Sequence, residues 1–291
     1  MKNVLITGSS GRIGRALHWK LCQKYKVKGI DLSPSSATTF IGNICKDEDL
    51  KISFENVDTV FHSAALHAPH VDYYTEKQFY EINVEATEKI CKIALESGVS
   101  QIVFTSTTAL YGYANQGKDR AAWVDENTLP QPRTIYHKTK VEAEQVLKTY
   151  SNKNLSIRVI RMSRCFPEPV QEMAVYRLHR GVDYRDVADA HVLAGELSKA
   201  IDFDVFVISG NTPFQKSDVE ELVRNPEEVI RARHPELAEE FDQRNWKFPK
   251  TIDRVYDSSY AEKVLKWKSK RGPLHVIRQY DDEDFEILPY L

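Results

Sequence analysis

The stretch Val4-Leu-Ile-Thr-Gly-Ser-Ser-Gly-Arg-Ile-Gly14 decides the fold of this chain. Residues 4–6 form a short apolar run that predicts a buried strand, and apolar residues recur at helical spacing over residues 13–25. Glycines 8, 11 and 14 therefore stand between a first strand and a first helix. That is the context in which glycines at this spacing indicate a dinucleotide-binding turn.

Each glycine of this turn has a separate predicted task. Gly8 permits a tight turn, Gly11 lets the backbone approach a pyrophosphate, and Gly14 allows close packing of helix on sheet. Backbone amides near Arg12 and Ile13 would then face the phosphates from the helix N-terminus, where the dipole favours negative charge. The alternative is a glycine-rich turn without a ligand.

Asp31 lies at the end of the second predicted strand, residues 27–32. A carboxylate at this point can accept hydrogen bonds from the adenine ribose hydroxyls, and it would repel a 2′-phosphate. No basic residue follows it directly, since Leu32-Ser-Pro34 come next. The sequence therefore predicts NAD as the cofactor in preference to NADP.

The organisation of the whole chain agrees with this reading of its start. Short apolar runs alternate with amphipathic ones up to Gly210, which predicts an α/β fold with a doubly wound parallel sheet of the Rossmann type. After Gly210, prolines punctuate short helical segments, which predicts a smaller, mostly helical C-terminal substrate subdomain. We expect the NAD-binding Rossmann domain at residues 1–164 and 182–210, and the substrate subdomain at residues 165–181 and 211–291. The strands are predicted at residues 4–6, 27–32, 38–41, 57–62, 101–106, 155–161 and 205–209, and the helices at residues 13–25, 71–97, 134–150 and 185–199.

Composition excludes several classes of function. The 291-residue chain has a formal net charge of −2, which gives no reason to expect nucleic-acid or membrane partners. Its four cysteines include no Cys-x-x-Cys pair, so we expect neither a zinc site nor a disulfide framework. Strand-like sequence begins at Lys2, leaving no room for a signal peptide, and no apolar run is long enough to span a bilayer. We therefore expect a cytoplasmic protein.

Tyr136 and Lys140 form a pair that could exchange a proton beside the dinucleotide. Four residues apart on a helix, their side chains leave from one face. A phenol has an ordinary pKa of about 10, and a neighbouring ammonium lowers that pKa because it favours the phenolate. Tyr73 and Lys77 have the same spacing, but no strand ending in Thr or Ser precedes them. We interpret that second pair as an ordinary helix surface.

These features together resemble the extended short-chain dehydrogenase/reductase family, which includes the NAD-dependent epimerases and dehydratases. The matching elements follow the family's order and extend over about two thirds of the chain. They are Thr7-Gly8-x-x-Gly11-x-x-Gly14, Asn43-Ile44, His62-Ser-Ala-Ala65, Asn83-Val84, Thr105-Ser-Thr-Thr-Ala-Leu-Tyr-Gly112, Tyr136-x-x-x-Lys140 and Val182-Asp-Tyr-Arg-Asp-Val-Ala-Asp-Ala-His191.

The resemblance implies roles for individual residues. Tyr136 would be the general acid/base, Lys140 would bind the nicotinamide ribose and hold down the tyrosine pKa, and Thr107 would hydrogen-bond the substrate oxygen. It also implies a homodimer through the long helix around Asn83 and the Tyr136 helix. The implied cofactor-binding residues are Gly8, Gly11, Arg12, Ile13, Gly14, Asp31, Asn43, Ile44, Ser63, Ala64, Ala65, Asn83, Thr105, Tyr136 and Lys140.

Two segments indicate different branches of the family. Dehydratases place Asp-Glu after the catalytic Thr, but Thr107 is followed by Thr108-Ala109, so we reject dehydration. The run from Thr107 to Gly112 looks more like the sugar-nucleotide epimerases. In contrast, Cys165-Phe-Pro-Glu-Pro169 is similar to the uronate dehydrogenases, and only 13 residues separate Pro169 from Asp183. So short a substrate segment leaves less surface for a bulky nucleotide diphosphate.

The candidate substrate residues follow from these matches. Arg164 falls where the epimerases carry a substrate-binding Asn, and Arg177 and Arg180 could each hold a carboxylate or phosphate. The alternative is that these are exposed arginines with no ligand. We reject a metal site at His62, His67 and His70, because His62 is predicted to end a buried strand. The full set of predicted substrate residues is His67, Thr107, Thr108, Arg164, Arg177 and Arg180.

The leading hypothesis is an NAD-dependent dehydrogenase or reductase acting on a small sugar-like or hydroxy/keto substrate. The first alternative is an NAD-dependent sugar or nucleotide-sugar epimerase, which uses the same chemistry twice without net oxidation. The second alternative is an NAD-sensing binding protein without catalysis, against which Thr107, Tyr136 and Lys140 all argue. A small-molecule substrate is the only partner expected beyond the second subunit.

Overall fold

The computed structural model describes residues 2–114 and 119–289, and within them the chain forms nine strands and twelve α-helices. The strands are β1 (Asn3–Thr7), β2 (Lys26–Asp31), β3 (Phe40–Ile41), β4 (Thr59–His62), β5 (Gln101–Thr107), β6 (Ala122–Val124), β7 (Ser156–Met162), β8 (Phe203–Ile208) and β9 (Arg254–Tyr256). The helices are α1 (Arg12–Leu21), α2 (Asp47–Ser53), α3 (Glu76–Tyr80), α4 (Ala86–Glu96), α5 (Ile135–Tyr150), α6 (Val170–His179), α7 (Tyr184–Glu196), α8 (Glu221–Arg224), α9 (Pro226–Arg233), α10 (Pro235–Gln243), α11 (Ser259–Leu265) and α12 (Pro273–Asp281).

Seven of the strands form one sheet in the order β3-β2-β1-β4-β5-β7-β8. β1 pairs in parallel with β2 on one side and with β4 on the other, and β3 and β5 extend the parallel pairing outward. The chain thus begins in the middle of the sheet and winds towards both edges. This confirms the doubly wound parallel sheet, and it brings the carboxyl ends of β1, β4 and β5 to one edge, where such folds bind their ligands.

The chain divides into two compact units. The first comprises residues 1–112, 130–161 and 187–206, and the second comprises residues 113–129, 162–186 and 207–291. The first unit has a core of strand and helix side chains that includes Leu5, Val60 and Ile102. In the second, α6, α10 and α12 pack together, and the short strands β6 and β9 pair in parallel. Residues 113–114, 119–129, 162–164, 182–186 and 207–210, all expected in the Rossmann domain, belong to the second unit.

The predicted helix over residues 71–97 begins later than expected. Thr75 caps α3, its hydroxyl accepting from the Gln78 amide at 3.3 Å while the Gln78 side chain accepts from the Thr75 amide at 2.9 Å. Tyr73 therefore lies before the helix, 82% exposed, and does not share a helix face with Lys77. At the other end Gly98, with φ +73°, ends the helix as predicted.

Between α3 and α4 the backbone makes one π-helical turn, Glu81–Glu85, which contains the buried Asn83. π-Helical turns are rare in proteins, and those that occur are often found at functional sites.

Among the described residues, no helix combines the length and the hydropathy needed to cross a bilayer.

Candidate active site

The glycine turn after β1 is built so that side chains at two positions would collide with backbone. Gly8 has φ +73°, and a Cβ on it would lie 2.6 Å from the Ala64 nitrogen. A Cβ on Gly14 would lie 2.0 Å from the Gly8 carbonyl oxygen. The turn can therefore pack this closely against α1 and the loop after β4 only with glycine at both positions.

The N-terminus of α1 has the features of a phosphate site. Gly11 stands at the N-cap with no side chain to bond the first amides, and the first turn contains no acidic residue. The leading amides of a helix have no partner within the helix, and the dipole adds partial positive charge there. The turn thus fits the pyrophosphate of a dinucleotide, and the phosphate contacts of the Arg12 and Ile13 amides stay a prediction.

Asp31 is fixed beside this turn at the end of β2. Its carboxylate accepts the Ser10 amide at 3.0 Å and the Ser33 amide at 2.9 Å, one on each oxygen. Each carboxylate oxygen can accept further hydrogen bonds, so the group can still receive the two ribose hydroxyls. Further along, the Asn43 side chain accepts the Cys45 amide at 2.9 Å, and Ile44 is buried beside it.

The loop after β4 is tied directly to β1. The Ser63 hydroxyl donates to the Thr7 carbonyl at 2.7 Å, and the Ala64 amide donates to the Thr7 hydroxyl at 3.3 Å. The structure therefore brings the predicted cofactor residues Ser63–Ala65 next to the glycine turn.

The predicted catalytic residues lie on β5 and on α5, which packs against it. Thr134 caps α5, and Tyr136 stands half-buried in its first turn with Lys140 one turn later. Thr107 is buried at the end of β5, where its hydroxyl accepts the Ala109 amide at 3.0 Å, and Thr108 is buried next to it.

Lys140 occupies an apolar environment that lowers its basicity. The side chain is 2% exposed, its Nζ donates to the Thr105 carbonyl at 2.6 Å, and Nζ lies 3.9 Å from the centroid of the Phe104 ring. Burial lowers the pKa of this lysine from 10.5 to about 7, although the nearby Glu144 carboxylate opposes that shift. Lys140 can therefore gain or lose a proton near neutral pH.

A buried ion pair that the sequence analysis missed holds α5 against the sheet. Glu144 binds Arg161 of β7 through both carboxylate oxygens, at 2.7–3.2 Å. The Ser106 hydroxyl donates to the same carboxylate at 2.5 Å, and Arg161 donates to the Tyr111 hydroxyl at 2.9 Å. The sequence held one indication of this ion pair: Glu144 lies one helical turn after Lys140, so both side chains leave the helix on the same face.

Asn83 and Thr105, both predicted to contact the cofactor, also bond within the protein. The Asn83 amide clamps the backbone of Leu66, accepting from its nitrogen at 2.8 Å and donating to its oxygen at 2.9 Å. The Thr105 hydroxyl bonds the His191 ring at 2.8 Å. Both side chains therefore brace the loop and strand that surround Lys140, and their contacts with a cofactor stay a prediction.

His67 is the predicted substrate residue on the loop after β4. It is half-buried, its ring centroid lies 4.2 Å from that of His70, and its amide donates to the His70 ring at 3.0 Å. Burial lowers the pKa of His67 to about 4, so it is neutral at physiological pH.

Among residues 2–114 and 119–289, no three His, Cys, Asp or Glu side chains are grouped as metal ligands would be.

The three predicted substrate arginines belong to the second unit. Arg164 pairs with Glu168, Arg180 lies 3.6 Å from Asp253, and both guanidinium groups stack on the ring of Tyr176. The structure thus brings Arg164 and Arg180 together.

Arg177 is placed differently from this pair. It is 2% exposed and donates to Asp183 at 3.3 Å, so it is not an exposed arginine without a partner. Its Nη1 has no hydrogen-bond partner among the described residues.

Comparison with known proteins agrees with this geometry. Residues 4–174 match the NAD dependent epimerase/dehydratase family. Over 172 residues, the chain is 31% identical to an N-acetyl-alpha-D-glucosaminyl-diphospho-ditrans,octacis-undecaprenol 4-epimerase of Escherichia coli O157:H7, covering 57% of this chain and 50% of that enzyme. It is 29% identical to the uncharacterized UDP-glucose epimerase YtcB of Bacillus subtilis (strain 168), covering 60% of each chain. The chain thus spans 50% and 60% of the length of these two relatives.

A solved structure resembles nearly the whole fold. A short-chain dehydrogenase/reductase superfamily protein from Agrobacterium tumefaciens, solved with bound NAD, superimposes with a TM-score of 0.71 at 16% identity, covering 95% of both chains. That likeness concerns the fold, whereas the family match extends over more than half of the sequence. With its glycine turn, Asp31 and the Tyr136–Lys140 pair arranged as described, the chain belongs to the NAD-dependent epimerase/dehydratase family.

Proposed function

We propose that this protein transfers hydride between NAD and a secondary alcohol or ketone of a small sugar-like or hydroxy/keto substrate. The observation that carries the proposal is the position of Lys140, buried beneath the end of β5 and one helical turn from Tyr136. Burial of a lysine ammonium costs free energy. A buried lysine one helical turn from a predicted acid/base therefore supports a role in proton transfer.

In the oxidative direction, NAD when bound supplies the acceptor for the hydride. Tyr136 takes the proton of the substrate hydroxyl, and Thr107 orients that hydroxyl by a hydrogen bond. Lys140 in its charged form favours the tyrosinate, because opposite charges attract strongly where little water is present. Positioned proton transfer of this kind contributes about 10²–10⁴-fold in rate.

A short connection in the second unit supports a small substrate. Helix α6 ends at His179 and α7 begins at Tyr184, so only residues 180–183 lie between them. A connection of this length offers little backbone to surround a nucleotide diphosphate. The residues proposed to contact the substrate are His67, Thr107, Thr108, Arg164, Arg177 and Arg180, with Arg177 acting only if it leaves its pair with Asp183.

The second candidate is an epimerase acting on a sugar joined to a diphosphate. The 31% identity to a 4-epimerase of that kind favours it, as does the segment Thr107–Gly112, which resembles the epimerases. Such an enzyme would oxidise and then reduce the same carbon, retain its cofactor and produce no net NADH.

The test is to purify the protein and follow NADH absorbance with NAD and a panel of sugars, sugar acids and UDP-sugars. Sustained NADH formation supports the dehydrogenase, and conversion of a sugar without net NADH supports the epimerase. Cofactor binding without any turnover would indicate NAD sensing and contradict both candidates.

A pair of tyrosine variants tests the assigned acid/base. Tyr136→Phe should lower turnover by about a hundredfold or more and change NAD affinity by a much smaller factor, because it removes only one of many predicted cofactor contacts. Tyr150→Phe is the matched control, because Tyr150 ends the same helix and bonds Glu88 at 3.0 Å. Near-normal turnover in Tyr136→Phe would refute the assignment.

We also propose that the protein acts in the cytoplasm as a homodimer through the helical segment around Asn83, which continues into α4, and through α5. All four cysteines lie within the described residues and none forms a disulfide, which suits a reducing compartment. Sedimentation of the purified protein tests the dimer, and a monomer at working concentration would contradict it.

A further inference from the structure

His62 lies at the end of β4, 1% exposed, and both of its ring nitrogens are hydrogen-bonded to threonines. Nδ1 lies 2.7 Å from the Thr7 hydroxyl, beside the glycine turn. Nε2 lies 3.0 Å from the Thr87 hydroxyl, at the start of α4. A buried histidine with two such partners bridges two elements of the fold without serving as a metal ligand.

The direction of each hydrogen bond can be worked out. The Thr87 hydroxyl donates its single hydrogen to the Asn83 carbonyl at 2.8 Å, so it must accept from the ring, and His62 carries its proton on Nε2. Nδ1 then accepts from the Thr7 hydroxyl, which in turn accepts the Ala64 amide. Burial, and secondly the charge of Lys140, lower the pKa of His62 to about 3, so the ring stays neutral.

Asn83 joins this series of hydrogen bonds, which ends at its backbone carbonyl, to a second series that starts at its side chain and reaches the catalytic helix. The Asn83 side chain, in the π-helical turn, donates to the Thr139 hydroxyl at 3.1 Å. That hydroxyl donates to the carbonyl of Tyr136 at 3.1 Å. The network thus runs from Thr7 through His62 and Thr87 to the backbone carbonyl of Asn83, and from the side chain of the same Asn83 through Thr139 to Tyr136.

We propose that His62 is a positioning residue that couples the glycine turn to the first turn of α5, so that binding of NAD holds Tyr136 ready for proton transfer. The inference rests on the proposed function, since it concerns how Tyr136 is presented to the substrate. Every donor and acceptor along the network has one defined role. None of these hydrogen bonds can exchange donor and acceptor without leaving a buried polar group unsatisfied. A displacement of the glycine turn is therefore opposed by the hydrogen bonds that reach α5.

Two substitutions of His62 each keep one of its two hydrogen bonds and remove the other. His62→Asn places its side-chain oxygen where Nδ1 was, so it keeps the bond with Thr7 and loses the bond with Thr87. His62→Gln places its amide nitrogen near Nε2, so it keeps Thr87 and loses Thr7. With turnover measured on a substrate that the NADH assay identifies, His62→Asn should lower kcat about three- to tenfold at unchanged NAD affinity, and His62→Gln should weaken NAD affinity by a similar factor.

The control is His179→Gln, which removes another buried histidine, bonded to the Arg254 carbonyl at 2.8 Å and outside this network. It should lower thermal stability without separating kcat from NAD affinity. If both His62 variants change kcat and NAD affinity in parallel, or lower only stability as the control does, His62 fills space and the proposal is overturned.

A second measurement needs no substrate. NAD alone should slow amide hydrogen exchange at residues 84–87 of the wild-type protein, and both His62 variants should lose that protection while the glycine turn keeps it. Equal protection in all three proteins would overturn the coupling. A failure to find any turnover would count against the proposed reaction and would leave this result standing.

Discussion

Removing the charge of Lys140 should change how the stability of the protein depends on pH. Lys140→Met keeps a side chain of similar length in the apolar site and eliminates the ammonium. The folded protein holds this lysine at a pKa of about 7, whereas in the unfolded chain it has the ordinary value of 10.5. One pKa unit corresponds to about 1.4 kcal/mol, so burial of the charged form costs about 5 kcal/mol of folding free energy.

The direction of this change in stability follows from the pH at which the folded and the unfolded states each lose the Lys140 proton. Below pH 7 the lysine is charged in both states, and the wild-type protein bears the full cost. Between the two pKa values the folded state releases its proton first, so wild-type stability rises with pH relative to the variant. From about pH 6 to about pH 9 the difference in unfolding free energy should shift by about 3 kcal/mol in favour of the wild type.

Other groups near Lys140 do not titrate in this window. This holds for the two neighbouring histidines, because burial holds the pKa of His62 at about 3 and that of His67 at about 4. Loss of the donor to the Thr105 carbonyl adds a cost to the variant that is the same at every pH.

Urea unfolding of the cofactor-free protein across this pH range measures the effect. Lys138→Met, on an exposed position of the same helix, is the control and should give a curve parallel to the wild type. If Lys140→Met is also parallel to the wild type, Lys140 is not buried as a cation, and the account of its pKa is refuted.

Three further predictions concern the turn, the cofactor and the buried ion pair. Gly8→Ala should abolish NAD binding in a titration, because its Cβ would lie 2.6 Å from backbone, whereas Gly98→Ala, also at φ +73° but in open space, should cost only about 1–2 kcal/mol in stability. Asp31→Asn should lower the preference for NAD over NADP about tenfold in kcat/KM, since a charge-assisted hydrogen bond is lost and the 2′-phosphate is no longer repelled; an unchanged ratio would remove Asp31 from the ribose site. Arg161→Met should cost about 3–5 kcal/mol in urea unfolding by leaving Glu144 buried without its partner, and adding Glu144→Gln should recover part of that; no recovery would mean that the charge is not the cause.

The sheet and the cofactor turn could be predicted because their signals are local. The glycines at 8, 11 and 14 and the strand ending at Asp31 lie within one strand–helix–strand unit, and backbone geometry alone restricts the residues at the turn. The Tyr136–Lys140 pair needed only helical spacing and a preceding strand. The start of the helix at Glu76 was also readable, from Thr75 and Gln78, but apolar periodicity extended the prediction past it.

Short elements were missed for the opposite reason. β6 and β9 have three residues each, which is too short to show the alternation that indicates a strand. They also pair across more than a hundred residues of chain, so no local pattern connects them. Helix α6 lies in the segment read only as a short substrate connection, and its apolar residues face more than one side.

The burial of Lys140 could not have been predicted from spacing, and it changes the chemistry of the pair. Spacing alone predicts an ammonium beside Tyr136, yet burial lowers the pKa of Lys140 to about 7, so its charged and neutral forms are both populated near neutral pH. Residues far apart in sequence create that environment, since Phe104 and Thr105 belong to β5 and the ion pair of Glu144 reaches to β7. The reactivity of Lys140 therefore depends on packing between β5 and α5, and a variant that loosens this packing should alter the pH profile of turnover before it alters NAD binding.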